Sequence, residues 1–371
     1  MVRAILVILI FLLAYGCADD QADHARDLVN RGLGLYDNAV GEKKGVSRDK
    51  TLQEAEEILR KAVELSPGHE AAYLALGRVI LARGKIAEAE KLYRKAYEIN
   101  PKSALACLGI GGILQNLQKR DEAEQWYLRA LRLDPEMIDA YCGLGDLAFD
   151  RMQYERAIGY YRQALLIDPL AENALSGLGD VYVDRGDLRK AEECFRTILE
   201  TRPDHSYALL GLGDVLARSG RIGEAEQTYM KVYEYSPDDD EVLYGIAHFY
   251  LKQRRYDEAM KFLRKARGVN PEYEWARGAM AVILLHQGKV NEAEKELKEE
   301  LARFPGNFEA HLLLARIYAS RGQDEKAKKH VSRALKIGGD EAKLSLKKNP
   351  LPGKGEIISP PPVKKSKHRG R

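Results

Sequence analysis

The chain has 371 residues, of which 31% are charged, and its formal net charge is +3. Residues 340–371 carry nine Lys or Arg against three acidic residues, which leaves a net charge of about −3 for the rest of the chain. That balance argues against a basic nucleic-acid-binding surface on the body of the protein, so we expect no nucleic-acid partner.

The first seventeen residues have the pattern of a secretory signal. Arg3 precedes an apolar run, residues 4–14, which is shorter than the roughly 20 residues that a membrane-spanning helix needs. Leu13-Ala14-Tyr15-Gly16-Cys17 follows, and it resembles the lipobox of bacterial lipoproteins, in which a small residue precedes an acylated cysteine. Tyr15 departs from that motif because its slot is usually small. We predict a lipoprotein-type signal peptide over residues 1–16; an ordinary secretory signal is the alternative.

The lipobox resemblance implies a location as well as a cleavage site. Cys17 becomes the first residue of the mature chain and carries the lipid, and the polar residues after it form a tether. Because the next residue is Ala18 and not Asp, similarity to enterobacterial sorting favours the outer membrane. The resemblance therefore implies a protein of the bacterial cell envelope, lipid-anchored and facing the periplasm.

Most of the remaining chain repeats with a period of 34 residues. Proline keeps this step eight times, at 67, 101, 135, 169, 203, 237, 271 and 305. Within one period, Tyr141, Leu144, Gly145 and Ala148 are spaced as one face of a helix, and a second helix follows with Ala157, Tyr161 and Ala164. Small residues let helix axes approach closely, and proline ends the second helix.

This pattern resembles the tetratricopeptide repeat family. The resemblance implies an all-α fold, a right-handed superhelical solenoid of helix-turn-helix repeats, in which neighbouring helix pairs stack. Eight copies span residues 70–339. Residues 17–69 hold the lipid tether and a degenerate first copy, whose second helix fits the pattern while its first helix is out of register and precedes a long loop over residues 41–50.

Two further stretches depart from the repeat. In the seventh copy, Arg277 takes an aromatic or apolar position and Glu300 replaces an alanine. Residues 340–371 form a capping segment, with a short helix over 340–348, and a basic tail that is rich in Pro, Gly and Lys. That composition predicts disorder from residue 349 onward. A tail of this kind serves solubility, contacts anionic membrane or cell-wall polymers, or occupies a groove of this protein.

The family binds partners in a concave groove that the first helices line. Carrying its groove positions over residue by residue gives the candidate partner-binding residues Asp139, Asp146, Phe149, Asp150, Asn173, Asp180, Asp184, Tyr207, Asp214, Tyr244 and Trp275. Asp146 with Asp150, and Asp180 with Asp184, are like-charge i,i+4 pairs that cost about 0.2–0.5 kcal/mol each. We interpret this acidic face as functional; a solvated polar face, partly neutralised by Arg151 and Arg185, explains it equally well.

The sequence carries no nucleophile motif, phosphate-binding loop, dinucleotide fingerprint or metal-ligand spacing, so we expect neither an enzyme nor a cofactor. Cys107, Cys142 and Cys194 are interpreted as buried thiols, with a Cys107–Cys142 bridge as the alternative. The predicted function is a non-enzymatic interaction scaffold that helps assemble an envelope complex for pili, secretion or polysaccharide export, with a basic or extended segment of a partner in its groove. A soluble periplasmic adaptor and a holdase chaperone for secreted subunits are the alternatives.

Overall fold

The computed structural model describes residues 2–41, 46–271 and 274–356, and the side chains from residue 21 onward within those ranges except Val46, Glu274 and Trp275. The described residues form helices and no strand. In chain order they are α1 (Val2–Gly41), α2 (Val46–Leu65), α3 (Glu70–Ala82), α4 (Ile86–Ile99), α5 (Ala104–Asn116), α6 (Arg120–Leu133), α7 (Ile138–Asp150), α8 (Tyr154–Ile167), α9 (Glu172–Arg185), α10 (Leu188–Thr201), α11 (Ser206–Arg218), α12 (Ile222–Tyr235), α13 (Asp240–Lys252), α14 (Tyr256–Val269), α15 (Glu274–His286), α16 (Val290–Arg303), α17 (Phe308–Ser320) and α18 (Asp324–Lys348).

The odd-numbered helices are the first, or A, helices of successive pairs, and the even-numbered ones are the B helices. The turn from A to B needs one residue in the left-handed region, and Gly84 supplies it in the first full repeat with a φ of 75°. In the third repeat Met152 adopts the same conformation, with a φ of 57°, although it has a side chain. The turn geometry is therefore kept even where the sequence offers no glycine.

The chain divides into two compact units, Met1–Val181 and Tyr182–Arg371. In the N-terminal unit, each A helix from α3 to α7 packs against its own B helix, the preceding B helix and the neighbouring A helices. In the C-terminal unit, α11, α13 and α15 contact one another in the same way. Within each unit the A helices thus form a continuous layer, as stacked helix pairs require.

An aromatic ring wedged between two glycines explains why both glycines of each repeat recur. In the N-terminal unit, Tyr161 of α8 is fully buried. A Cβ atom added at Gly145, in the same repeat, would lie 2.6 Å from its ring, and one at Gly177, in the next repeat, would collide with it as well. The rings of Tyr93 and Tyr127 sit between glycines in the same way. The small residues that we predicted at the helix contact are therefore the floor of an aromatic pocket.

The degenerate first copy is a helix pair whose first helix is displaced along the sequence. Ala25, Leu28, Val29 and Ala39 of α1 are buried, and α1 packs against α2. Gly32 approaches the Leu59 side chain, as Gly77 approaches Tyr93 one period later. The predicted loop over residues 41–50 is wrong at both ends. Gly41 closes α1, and residues 46–50 begin α2, whose first turn carries Asp49, a residue type that helix N-termini favour.

Ion pairs that the repeat pattern did not reveal join adjacent helix pairs. A glutamate near the start of one B helix binds an arginine or lysine in the A–B turn of the next repeat. We call these contacts the inter-repeat clamps. In the N-terminal unit they are Glu56 with Arg83 and Lys85, and Glu124 with Arg151; in the C-terminal unit they are Glu192 with Arg221, Glu226 with Arg255, and Glu294 with Arg321. The pKa of each of these glutamates is lowered.

The C-terminal end closes differently from the other repeats. Gly339, which stands where the other repeats carry proline, has a φ of 48° and kinks α18, and residues 340–348 continue as a helix, as we predicted. The segment 349–356 then lies along α17. Arg316 donates to the carbonyl of Asn349, and the Gly355 N–H donates to the carbonyl of Ser320 at 2.8 Å. These backbone contacts order the start of the tail, for which composition predicted disorder; residues 357–371 lie outside the described residues.

Within the described part of the chain, no helix has the length and apolar character needed to cross a membrane. The predicted signal peptide and Cys17 fall in the N-terminal part of α1, where only the backbone is described.

Candidate partner-binding surface

In the N-terminal unit, the predicted groove residues of α7 and α9 fall into two groups. Asp139, Asp150 and Asn173 are exposed. Asp146, Phe149 and Asp180 are half-buried, and the Phe149 ring packs at 6.0 Å from that of Tyr154. The A helices therefore present carboxylate and amide groups to solvent beside one partly accessible aromatic ring.

Asp146 has an internal partner. Its Oδ1 accepts a hydrogen bond from the hydroxyl of buried Tyr161 at 2.6 Å. In the C-terminal unit, Asp214 accepts the same bond from Tyr229, also at 2.6 Å. A buried phenol without a partner would be costly, so these aspartates satisfy the core rather than only facing the groove. In the second repeat Gln115 takes over this task and accepts from Tyr127 at 2.7 Å.

Asp180 differs from the other two aspartates by its sequence context. The residue that follows it by 15 positions is Phe195, whereas Asp146 and Asp214 are followed at that distance by tyrosines. A phenylalanine has no hydroxyl, so the Tyr–Asp bond of the other repeats does not account for Asp180. Of the three GLGD aspartates, two thus have a structural role that we did not predict.

The exposed acidic groups are only partly neutralised. Asp150 lies 3.8 Å from Arg120 of the preceding B helix, and both side chains are exposed. Arg151, which we expected to offset the Asp146–Asp150 pair, instead binds Glu124 at 2.5 Å and Asp121 at 2.6 Å in a clamp. That part of the prediction is wrong because the turn points Arg151 at the previous repeat.

The C-terminal unit offers fewer of the predicted anchors. Asp184 is exposed and Tyr207 is half-buried. Tyr244, which we predicted as an aromatic anchor, is 2% exposed, and its ring stacks on His248 with a centroid distance of 6.4 Å. It belongs to the packing between A helices and is not available to a partner. The side chain of Trp275 lies outside the described residues.

Comparison with known proteins agrees with this architecture. The family model of the cilia and flagella-associated protein 70 C-terminal domain matches residues 103–304, more than half of the chain. A tetratricopeptide repeat model matches residues 48–93 and 284–348. The chain belongs to the tetratricopeptide repeat family. No curated protein sequence matches it.

Solved structures support the tetratricopeptide repeat fold and nothing finer. A tetratricopeptide repeat protein from Parabacteroides merdae is 19% identical, with a TM-score of 0.54 over 71% of this chain and 99% of that one. A monomeric mutant of IFIT1 with m7Gppp-AAAA is 16% identical, with a TM-score of 0.59 over 84% of this chain and 71% of that one. The Cut9–Hcn1 structure of the APC/C is 19% identical, with a TM-score of 0.56 over 72% and 52%.

Two departures in the seventh tetratricopeptide repeat are accommodated by charge pairing. Arg277 donates to Glu296 at 3.3 Å and to Glu299 at 2.8 Å. Glu300 is buried and accepts from Asn307 at 2.6 Å. The neighbouring Gly278 leaves room for that carboxylate, since a Cβ atom there would lie 3.3 Å from it. The repeat therefore keeps its fold with a polar replacement for the usual alanine.

The three cysteines of the tetratricopeptide repeats, Cys107, Cys142 and Cys194, are buried and free, as we predicted. Burial raises the pKa of Cys142 and of Cys194 to about 12, so both stay protonated at neutral pH and are poor nucleophiles. Among the described residues, no three side chains that commonly bind metals come together.

The Asp146–Tyr161 bond gives a first testable prediction. Tyr161→Phe keeps the ring and removes the hydroxyl, and Asp146→Asn weakens the acceptor, so each should lower the free energy of unfolding by about 1–2 kcal/mol. In a double-mutant cycle followed by urea unfolding, we expect a coupling energy of about 1 kcal/mol between the two substitutions. Asp139→Asn, at an exposed position on the same helix, is the control and should leave stability unchanged. Additive effects would contradict a direct bond.

Proposed function

We propose that this tetratricopeptide repeat protein is a lipid-anchored interaction scaffold that helps assemble a complex of the bacterial cell envelope, such as a pilus, a secretion system or a polysaccharide exporter. The repeat fold itself supports an interaction scaffold. The observation that carries the proposal further is the exposed acidic face of the N-terminal unit, where Asp139 and Asp150 reach solvent from one A helix. Carboxylates held on a rigid layer of helices suit a basic partner.

The kind of partner follows from the charge and shape of that face. Asp139, Asp150 and half-buried Asp146 lie on α7, and they attract Lys or Arg over roughly the Debye length of about 8 Å. Half-buried Phe149 adds an aromatic contact of the type found in interface hot spots. A basic, extended segment of a partner protein is therefore the ligand that this face fits best.

The lipid anchor is supported by the amino-terminal sequence. Arg3, the apolar run and Gly16-Cys17 give the order of a lipoprotein signal. The first buried residue of α1 in the described part is Ala25, so Cys17 precedes the packed body by eight residues. Cleavage before Cys17 would therefore leave the buried part of α1 intact.

Two alternatives predict different features. A soluble periplasmic adaptor would be cut by a conventional signal peptidase, which Ala14-Tyr15-Gly16 also suits. A holdase chaperone for secreted subunits would need an apolar groove, whereas α7 presents exposed aspartates. The acidic face favours the scaffold over the holdase.

The mass of the mature protein from its own envelope tests the anchor. We expect a diacylglyceryl increment on an amino-terminal Cys17 and recovery in the membrane fraction, because a lipid of that size partitions strongly into bilayers. Cys17→Ser should abolish both the increment and the membrane recovery. Mature protein that is cut elsewhere and released freely would exclude the anchored scaffold and leave the soluble adaptor.

Cross-linking in the envelope tests the scaffold in the same preparations. The wild-type protein should capture envelope-assembly proteins, and Asp139→Lys with Asp150→Lys should lose them while the lipid increment is retained. Asp121→Lys, an exposed aspartate on the B helix α6, is the matched control. Capture that survives the reversal of charge on α7 would locate the partner elsewhere.

A further inference from the structure

One edge of the N-terminal unit collects all the turns from a B helix to the next A helix. Consecutive helices from α1 to α8 contact each other and are joined by short connections, so they alternate in direction. The A helices therefore begin, and the B helices end, at the same edge. We call this edge, formed by residues 66–69, 100–103, 134–137 and 168–171, the B–A edge.

Two leucines at the B–A edge are exposed where the other repeats carry no large apolar residue. Leu166, in the last turn of α8, is 76% exposed, and Leu170, in the loop after it, is 51% exposed. The positions equivalent to Leu166 in the repeats on either side are Arg132 and Glu200, and those equivalent to Leu170 are Glu136 and Asp204. Solvent exposure alone does not favour two leucines at such positions.

The loop holds these leucines outward. The Asp168 N–H donates to the carbonyl of Ala164, which closes α8. The Asp168 carboxylate in turn accepts from the N–H of Leu170 at 2.9 Å, and Pro169 between them has a fixed φ. Leu133, the residue equivalent to Ile167 one repeat earlier, is also exposed at this edge. The leucines thus form a small, convex, apolar patch on a rigid turn.

The amino terminus leaves the unit at the same edge. α1 is the A helix of the first pair, and its first buried residue in the described part is Ala25. The helix continues backward past residue 17. At a rise of 1.5 Å per residue, the backbone of residue 17 lies about 12 Å beyond Ala25, on the side where A helices begin. A lipid on Cys17 would therefore bring the B–A edge towards the membrane.

We infer that the B–A edge of the N-terminal unit rests on the lipid bilayer, with Leu166 and Leu170 inserted among the headgroups and upper acyl chains. The inference rests on the proposed lipidation of Cys17. A convex turn with two protruding leucines matches a soft, flat surface better than it matches a peptide, which needs a groove. Because Glu98, Asp134 and Glu136 lie at or beside the same edge, the contact is apolar and needs no anionic lipid.

Hydrogen exchange on vesicles tests this contact. The lipidated full-length mature protein is placed on vesicles of phosphatidylcholine and phosphatidylethanolamine and compared with the Cys17→Ser protein in solution. We expect amides of residues 166–171 to exchange about tenfold more slowly on vesicles, because the bilayer shields the turn. Residues 151–153, in an A–B turn at the opposite edge, should exchange equally in both samples.

Paired variants separate the two hypotheses. Leu166→Glu with Leu170→Asp introduces the residues that the next repeat carries, and it should abolish the slower exchange while flotation with vesicles persists through the lipid. Leu344→Glu, at a leucine that is also 51% exposed but lies in the C-terminal unit, should leave the exchange of residues 166–171 slow.

The outcomes are distinct for the anchor and for the contact. Unchanged exchange of residues 166–171 on vesicles, in protein whose mass shows the lipid, overturns the membrane contact and leaves the proposed anchor standing. Protection that arises only when an envelope protein is added also overturns it and assigns the patch to a protein. A mature chain without lipid on Cys17 contradicts both.

Discussion

Tyr161→Ala should lower the free energy of unfolding of the N-terminal unit by about 3–5 kcal/mol, as measured by urea unfolding. The ring is fully buried and fills the space between Gly145 and Gly177, so its loss leaves a cavity that two glycines cannot fill. Because the hydroxyl partner Asp146 also loses its bond, this should be the most damaging single truncation in the repeat.

The neighbouring Tyr160→Ala is the matched control. Its side chain is half-buried and contacts the core only at the margin, so the cost should be about 1 kcal/mol. In a stack of repeats each pair depends mainly on its neighbours, so hydrogen exchange in Tyr161→Ala should rise first in α7 and α8. Equal costs for the two substitutions would contradict the wedge.

Glu294→Gln should remove about 3 kcal/mol of stability above pH 4.5 and progressively less as the pH falls. Burial tends to raise the pKa of Glu294, but hydrogen bonds from Lys298, Arg321 and Tyr318 outweigh it and lower that pKa from 4.5 to about 2. A carboxylate with a folded pKa below its unfolded value stabilises the fold at higher pH. That stabilisation is lost as the pH falls from about 4.5 to about 2.

The measurement is urea unfolding of wild type and variant between pH 7 and pH 2. The two curves of stability against pH should converge at the acidic end, since protonated Glu294 resembles glutamine. Glu325→Gln is the matched control, because Glu325 is 89% exposed and pairs only with Lys328. A constant difference between wild type and Glu294→Gln across the pH range would show that the charge of Glu294 contributes nothing.

The helical repeat was predictable because its causes are local and periodic. Proline at 169 and glycine at 145 each act within one helix pair, and each recurs every 34 residues, so the pattern exposes them. The wedge of Tyr161 between two repeats was only half visible, since periodicity shows that Gly177 recurs but not which ring it meets. The clamp of Glu124 with Arg151 was missed because its partners stand 27 residues apart and both look like ordinary surface charges.

The binding surface was less predictable than the fold. A family position states which way a side chain leaves its helix and not what it meets there. Asp146 meets a buried hydroxyl of its own repeat, and Tyr244 is covered by its surroundings. Asp139 and Asp150 are exposed at the places where the family pattern put them. Only the neighbours in space separate these two groups, and a single sequence does not name them.

The segment 349–356 has a consequence for assembly. A stack of identical units resembles a linear polymer, which grows whenever an open end accepts another unit. Here the kink at Gly339 turns the chain back, and Asn349 and Gly355 are bonded to α17, so the face that would accept a further helix pair is already taken by the chain's own backbone. The C-terminal end therefore acts as a chain terminator, which keeps one copy from adding head-to-tail onto the next at that end.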